Sequence, residues 1–125
     1  MLANSKAFSG FSVDDPEAAK RFYGETLGLR IEDRDAGMFT LKLAGDRDTL
    51  VYPSPSHRPA SYTALNFPVD DIEKAVDELT SQGVTFETYA GTEMATDDKG
   101  IFRKGGPLIA WFKDPAGNTL SVIEQ

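Results

Sequence analysis

The chain has 125 residues, 40% hydrophobic and 26% charged, a formal net charge of −7 and no cysteine. Those figures suit one ordinary globular domain, residues 1–125, large enough to need no staples, and they rule out disulfides, thiolate metal sites and a cysteine nucleophile. The acidic balance argues against nucleic acid, whose binders neutralise phosphates with Lys and Arg, and no apolar run approaches the roughly 18 residues of a membrane span.

Read in chain order, the sequence repeats itself. Residues 11–19 read FSVDDPEAA and residues 67–75 read FPVDDIEKA, so Phe11, Val13, Asp14, Asp15, Glu17 and Ala19 recur as Phe67, Val69, Asp70, Asp71, Glu73 and Ala75. In each copy an alternating apolar run ends at a helix start. Asp14 or Asp15 can accept from the free N–H groups of a first helical turn, as can Asp70 or Asp71. Glu17 and Glu73 follow the first aspartate by three residues, the spacing of a reciprocal cap, and Pro16 suits the first helical position. These acids read as caps rather than catalysts.

In the first copy the helix stripe is Ala19, Phe22, Tyr23 and Leu27, closed by Gly28. Strands are expected at residues 29–32, 39–43 and 49–52, with a turn at 44–48 (AGDRD). Residues 53–59 (PSPSHRP) read as a connector. In the second copy Ile72, Ala75, Val76 and Leu79 form the stripe, and Gly83 ends it. Strands are expected at 84–89, 108–113 and 119–123. Residues 114–118 (DPAGN) make a hairpin turn, and residues 90–106 lack periodicity and read as a long loop. The fold class is α+β, two tandem βαβββ modules of about residues 1–53 and 60–125.

Val13-Asp14-Asp15, Phe22-Tyr23, Leu27-Gly28-Leu29 and the closing Asp114-Pro115-Ala116-Gly117-Asn118 together resemble the vicinal oxygen chelate superfamily. That group includes glyoxalase I, the bleomycin- and fosfomycin-resistance proteins and the extradiol dioxygenases. The resemblance covers nearly the whole chain and speaks to fold more than to chemistry. It implies curved sheets forming an open barrel-like cleft with the helices outside. It also implies four ligand positions for a metal: Phe8, seven residues before the second acid; its repeat-equivalent Ala64; Ser121, four residues after the hairpin glycine; and a first-copy match at about Val51. Phe, Ala and Val cannot coordinate a cation, and neutral Ser is a poor ligand. A shift of one residue would present Ser9, Thr63 and Leu120 or Val122, which are no better. The expectation is no metal and no cofactor.

Alternation along the strands turns Leu65, Phe67, Val69, Phe11 and Val13 toward the helices. It leaves Tyr62, Ala64, Asn66, Phe8 and Ser12 toward the cleft. With Leu120, Val122 and Phe112 as core, Ser121 and Trp111 join the cleft, as do Thr40 and Lys42. The candidate ligand-binding set is Phe8, Ser12, Thr40, Ala64, Asn66, Trp111 and Ser121. Phe8 and Trp111 would be apolar walls and Asn66, Ser12 and Ser121 polar points. Plainer readings stand beside these: Trp111 as core filler and Asn66 as an exposed strand residue. His57, the only histidine, reads as a surface loop residue. Residues 99–104 (KGIFRK) read as a solvated loop or as a lid for an anionic ligand. No GxSxG, P-loop, HExxH or dinucleotide fingerprint occurs, and no catalytic residue can be assigned.

The functional expectation is a small-molecule binding protein of the bleomycin-resistance type, working as a homodimer as the resemblance implies. Its ligand is unidentified, and neither nucleic acid nor membrane is a partner. With no charged-then-apolar opening segment no export signal is expected, and a cytoplasmic setting follows. A glyoxalase-type metal-dependent lyase or isomerase, drawing on acids such as Glu32, Glu87 or Glu124, is the alternative. A structural or regulatory partner module is a third class.

Overall fold

Two four-stranded mixed sheets, each with one α-helix, carry the fold of the computed structural model, which describes residues 1–125. The chain divides into two units, Met1–Arg58 and Pro59–Gln125.

In the first unit a 3-10 turn, Leu2–Asn4, precedes β1 (Ser9–Val13), α1 (Pro16–Arg21) and a π-type turn, Phe22–Thr26. Then come β2 (Arg30–Asp33), β3 (Phe39–Leu43) and β4 (Arg47–Pro53). The strand order is β1-β4-β3-β2, with β1 parallel to β4 and the other pairs antiparallel. One face packs under the helix. Val13, Ala19, Tyr23, Phe39, Leu41 and Val51 are all fully buried, and the Phe11 ring lies 5.9 Å from that of Tyr23. Each such large side chain contributes roughly 1.5–3 kcal/mol by leaving water.

In the second unit the order of elements is β5 (Thr63–Val69), α2 (Ile72–Ser81), β6 (Ile101–Phe102), β7 (Ile109–Lys113) and β8 (Thr119–Glu124). The sheet order β5-β8-β7-β6 repeats the plan of the first. Ile72, Phe112, Leu120 and Val122 fill the helix side. Gly83, at φ 97°, ends α2: its N–H bonds Thr80 and the next N–H, of Val84, bonds Leu79. That pair of bonds is a Schellman ending, which needs a residue at ease with positive φ.

Three expectations change. The caps are Asp15 and Asp71, and no reciprocal glutamate completes them. Asp15 accepts from the N–H groups of Glu17 and Ala18, and Asp71 from that of Lys74. Each helix starts directly after the second aspartate, so the third helical residue is Ala18 or Lys74. Asp14 instead accepts from the Asp15 N–H at 2.8 Å.

Residues 84–89 do not form a strand. They hold one bridge, Phe86 to Phe112, and one bond from the Glu87 N–H to the Trp111 carbonyl. The chain then leaves the sheet because Tyr89 sits at φ 46° and the Thr88 carbonyl is taken by the Thr96 N–H. The sheet edge is completed by Ile101–Phe102 against Ile109 and Ala110, inside the stretch expected to be loop. The DPAGN turn stands as expected, wired by Asp114. Its buried carboxylate accepts from the N–H groups of Ala116 and Asn118 and from the Asn118 amide at 3.0 Å or less.

Candidate functional site

The face of the first sheet turned away from α1 is built in rows. Gly10, Leu50, Thr40 and Glu32 lie side by side across the four strands, next to Lys42 and Asp48. Beyond β2 the chain turns through Asp35–Gly37, with Ala36 and Gly37 at positive φ. The Arg34 N–H bonds the Met38 carbonyl and closes the corner. This geometry produces a pocket of about 220 Å³ lined by Phe8, Arg34, Met38, Thr40, Asp48 and Leu50. Phe8, Met38 and Leu50 make it apolar; Phe8 is 67% exposed.

Two polar groups in this pocket are held by partners. The Arg34 Nε donates to the Thr40 hydroxyl at 2.6 Å, and its Nη2 lies 3.3 Å from Glu32. Asp48 takes a hydrogen bond from Lys42 at 2.8 Å across the β3–β4 pair. Asp48 and Glu32 raise the Lys42 pKa, the hydrogen bond that Lys42 donates to Asp48 contributing most. Thr40 is only 3% exposed, so its hydroxyl fixes the guanidinium from beneath.

The corresponding row of the second sheet is Asn66, Ser121 and Trp111. The buried Ser121 hydroxyl donates to the side-chain carbonyl of the exposed Asn66 at 2.6 Å. Trp111 is no bare wall. It is 8% exposed, with the Tyr89 ring 5.6 Å and the Phe102 ring 5.8 Å away. Burial, then the charge of Glu87, pushes the Tyr89 hydroxyl pKa up. At Ala64 the β5–β8 register shifts, between Thr63 and Leu65, and leaves Ala64 without a partner in the ladder.

The loop that brings Phe102 over Trp111 is organised by Asp97. Its carboxylate accepts from the N–H groups of Lys99 and Ile101 at 2.9 Å and from Arg103 at 2.8 Å. Burial pushes this carboxyl up, but Arg103 and the two backbone donors outweigh it and hold it below the ordinary carboxylate range. Lys99 and Arg103 also reach Asp77 and Glu73 on α2. These two cations are therefore paired with acids of the helix face.

Ser12 and His57 form a further pair. The Ser12 hydroxyl lies 2.6 Å from His57 Nδ1, and the half-buried His57 is not the solvated loop residue its flanking prolines suggest. The connector folds onto β1, with the Ser54 N–H bonded to the Val13 carbonyl.

The four positions where the resemblance expects metal ligands can be tested one by one. Phe8 has no donor atom. Val51 lies between Phe11 and Phe39 on the helix face and is fully buried, so Leu50 is the β4 residue that shares a face with Thr40. Ala64 has no donor, and the Ser121 hydroxyl is spent on Asn66. This donor set does not fit a divalent cation, and no three His, Asp or Glu side chains are grouped to hold one.

The structure thus brings Phe8 and Thr40 together in one pocket and sets Asn66, Trp111 and Ser121 in one row. Ser12 stands with His57, and Ala64 stands apart. Sequence reasoning missed Arg34, Met38, Asp48 and Leu50. Alternation carried from Thr40 onto β4 would have reached Leu50 and Asp48, whereas the turn that delivers Arg34 and Met38 has no periodic signal.

The family model described as the Glyoxalase/Bleomycin resistance protein/Dioxygenase superfamily matches residues 8–122. YurT, an uncharacterized protein of Bacillus subtilis strain 168, is 32% identical over 129 residues, covering 90% of this chain and 93% of that protein. Among solved structures, TnmS3, an antibiotic binding protein from Streptomyces sp. CB03234, is similar with a TM-score of 0.66. Its identity is 24%, and 97% of each chain is covered. The fosfomycin resistance protein FosX from Mesorhizobium loti has a TM-score of 0.65 at 13% identity, over 98% of this chain and 92% of that one. At these identities the two structures speak to the fold.

Proposed function

The chain belongs to the Glyoxalase/Bleomycin resistance protein/Dioxygenase superfamily, and from that premise we propose that it is a small-molecule binding protein that works without a resident metal. One observation carries the reading. The face of the first sheet away from α1 holds an apolar pocket with a few fixed polar groups, the usual make-up of a ligand site. The positions where the family resemblance expects ligands meanwhile hold Phe8, Val51, Ala64 and Ser121, and the neighbour of Val51 on the other face is Leu50. A metal-polarised lyase or isomerase needs donors that these residues lack. TnmS3, an antibiotic binding protein of similar fold, accords with a binding role.

Phe8 and Thr40 are the sequence-derived ligand contacts this reading retains, whereas Ser12 is paired with His57 and the row Asn66, Ser121 and Trp111 lies in the second sheet, outside this pocket. Ala64 contributes at most backbone. A homodimer and a cytoplasmic setting complete the proposal. The dimer is supported by the resemblance to resistance proteins, and the setting by the absence of cysteine in a small domain.

The test is a thermal-shift screen of aromatic natural products and thiol conjugates, run beside elemental analysis of the purified protein. A ligand that raises the melting temperature, with metal far below one equivalent, is the expected result. Stoichiometric zinc, nickel, manganese or iron would restore the metalloenzyme reading. Silence across the library would favour a protein-partner module. Light scattering on the same sample reads the dimer directly.

A further inference from the structure

The pocket holds two charged side chains, and they are not equally neutralised. Asp48 receives a charge-assisted bond from Lys42 at 2.8 Å, the short kind in which both charges are spent on one another. Arg34 is different. Its shortest bond, 2.6 Å, goes to the neutral hydroxyl of Thr40, and its contact with Glu32 is a longer 3.3 Å.

A neutral acceptor orients a guanidinium without cancelling its charge. Of the five N–H donors that Arg carries, one is used by Thr40 and one meets Glu32. Arg34 lines the pocket together with Phe8, Met38, Thr40, Leu50 and the Lys42-paired Asp48, and the other donors of its planar fork are left for a ligand. A planar fork matches a carboxylate bidentately, which a lysine at the same place would not.

The volume sets a further limit. About 220 Å³ is below the roughly 300–1,000 Å³ of pockets that enclose drug-sized ligands, so the group that enters is small.

From these observations we infer that the ligand of this pocket is a small carboxylate on a flat apolar body, with Arg34 as its anion anchor and Thr40 as the residue that positions the anchor. This rests on the small-molecule reading above and adds the chemical class. Phe8 supplies a face for the apolar body, and the Arg34 fork supplies selection for its charge.

A matched pair of probes tests it: 2-naphthoate and 2-naphthamide share one ring system and differ in the charge of one substituent. Each is titrated into the full-length ¹⁵N-labelled protein, and amide shifts at Phe8, Thr40 and Leu50 report binding at the pocket. The wild type should bind the carboxylate about tenfold more tightly than the amide, the worth of one charge-assisted contact. Arg34→Gln, at an exposed position, should bring that ratio close to one while the spectrum stays folded. Thr40→Val should lower the ratio in part, and Thr40→Ser, which keeps the hydroxyl, should restore it. Phe8→Ala should weaken both probes alike and leave the ratio standing.

Equal binding of the two probes by the wild type, or a carboxylate preference that survives Arg34→Gln, would overturn the inference and leave the pocket itself in place. No shift at those amides with either probe at millimolar concentration would overturn the pocket reading along with it.

Discussion

The two sheets share one plan, and their faces away from the helices have gone separate ways. Thr40 in the first sheet and Trp111 in the second occupy equivalent places, beside Leu50 and Ser121 and then Gly10 and Asn66. Around Thr40 the strands are joined by short turns, and a pocket with an exposed Phe8 remains. Around Trp111 the chain detours through residues 88–100 and lays Tyr89 and Phe102 against the indole. The helix sides differ far less: Phe11 and Phe67, Val13 and Val69 are the same residue types. The lesson is that burial fixes one face of a repeated unit, because every substitution there is felt in packing. The other face is free to take on recognition in one copy and self-covering in the other.

The comparison breaks most visibly at its centre. Trp111→Ala should cost about 3–5 kcal/mol, the usual range for a buried aromatic, while Thr40→Val should cost only about 1 kcal/mol. Urea unfolding of the two variants measures both, and similar losses would mean that the two positions are not used differently.

Next come the helix caps, where the two units should behave alike. Asp15→Ala and Asp71→Ala should each cost about 1 kcal/mol, and Asp14→Ala and Asp70→Ala much less. The reverse order would put the caps one residue earlier.

Acid sharpens the contrast through Asp97. Its carboxyl is held below the unfolded-state value, so its stabilisation is present above that value and is lost as pH falls through the lowered one. From about pH 4 downward the covering over Trp111 should loosen. As the only tryptophan, Trp111 should then show a red-shifted emission. Asp97→Asn should remove this acid step, and an unchanged step would assign it to other carboxylates.

The smallest effect on stability belongs to Phe8→Ala. At 67% exposure the loss should stay within about 0.5 kcal/mol, while calorimetry with any ligand found in the screen should show weakened binding. A large stability loss would make Phe8 a packing residue and not a wall.

The fold was legible because its signals are local or periodic. The VDD helix starts, the DPAGN turn and the stripe of Ile72, Ala75, Val76 and Leu79 each state one element within a few residues. Face assignment also worked where strands are regular, as for Phe11, Val13, Thr40 and Ser121. Its count is interrupted at Ala64, where the register of the ladder shifts, and the strand expectation failed at residues 84–89. There the sequence is strand-like, but Thr88 bonds Thr96 and Tyr89 turns the backbone. The pocket was half legible. Thr40 and Phe8 follow from alternation, whereas Arg34 and Met38 arrive through a turn whose shape depends on two positive-φ residues, Ala36 and Gly37.

The Ile72 N–H, at the start of α2, is bonded by the Glu124 carboxylate at 3.0 Å across 52 residues of chain, while α1 is capped from next door by Asp15. The consequence lies in time. As the chain emerges during synthesis, β1 finds its only neighbour once β4 is made, but β5 must wait for β8, and the second helix lacks part of its start until then. The closure of that loop comes last in synthesis, although its greater length adds little to the chain entropy it costs. Meanwhile β5 presents unpaired edges, so the interval before Glu124 is translated is when this protein is most exposed to sticking to its own kind.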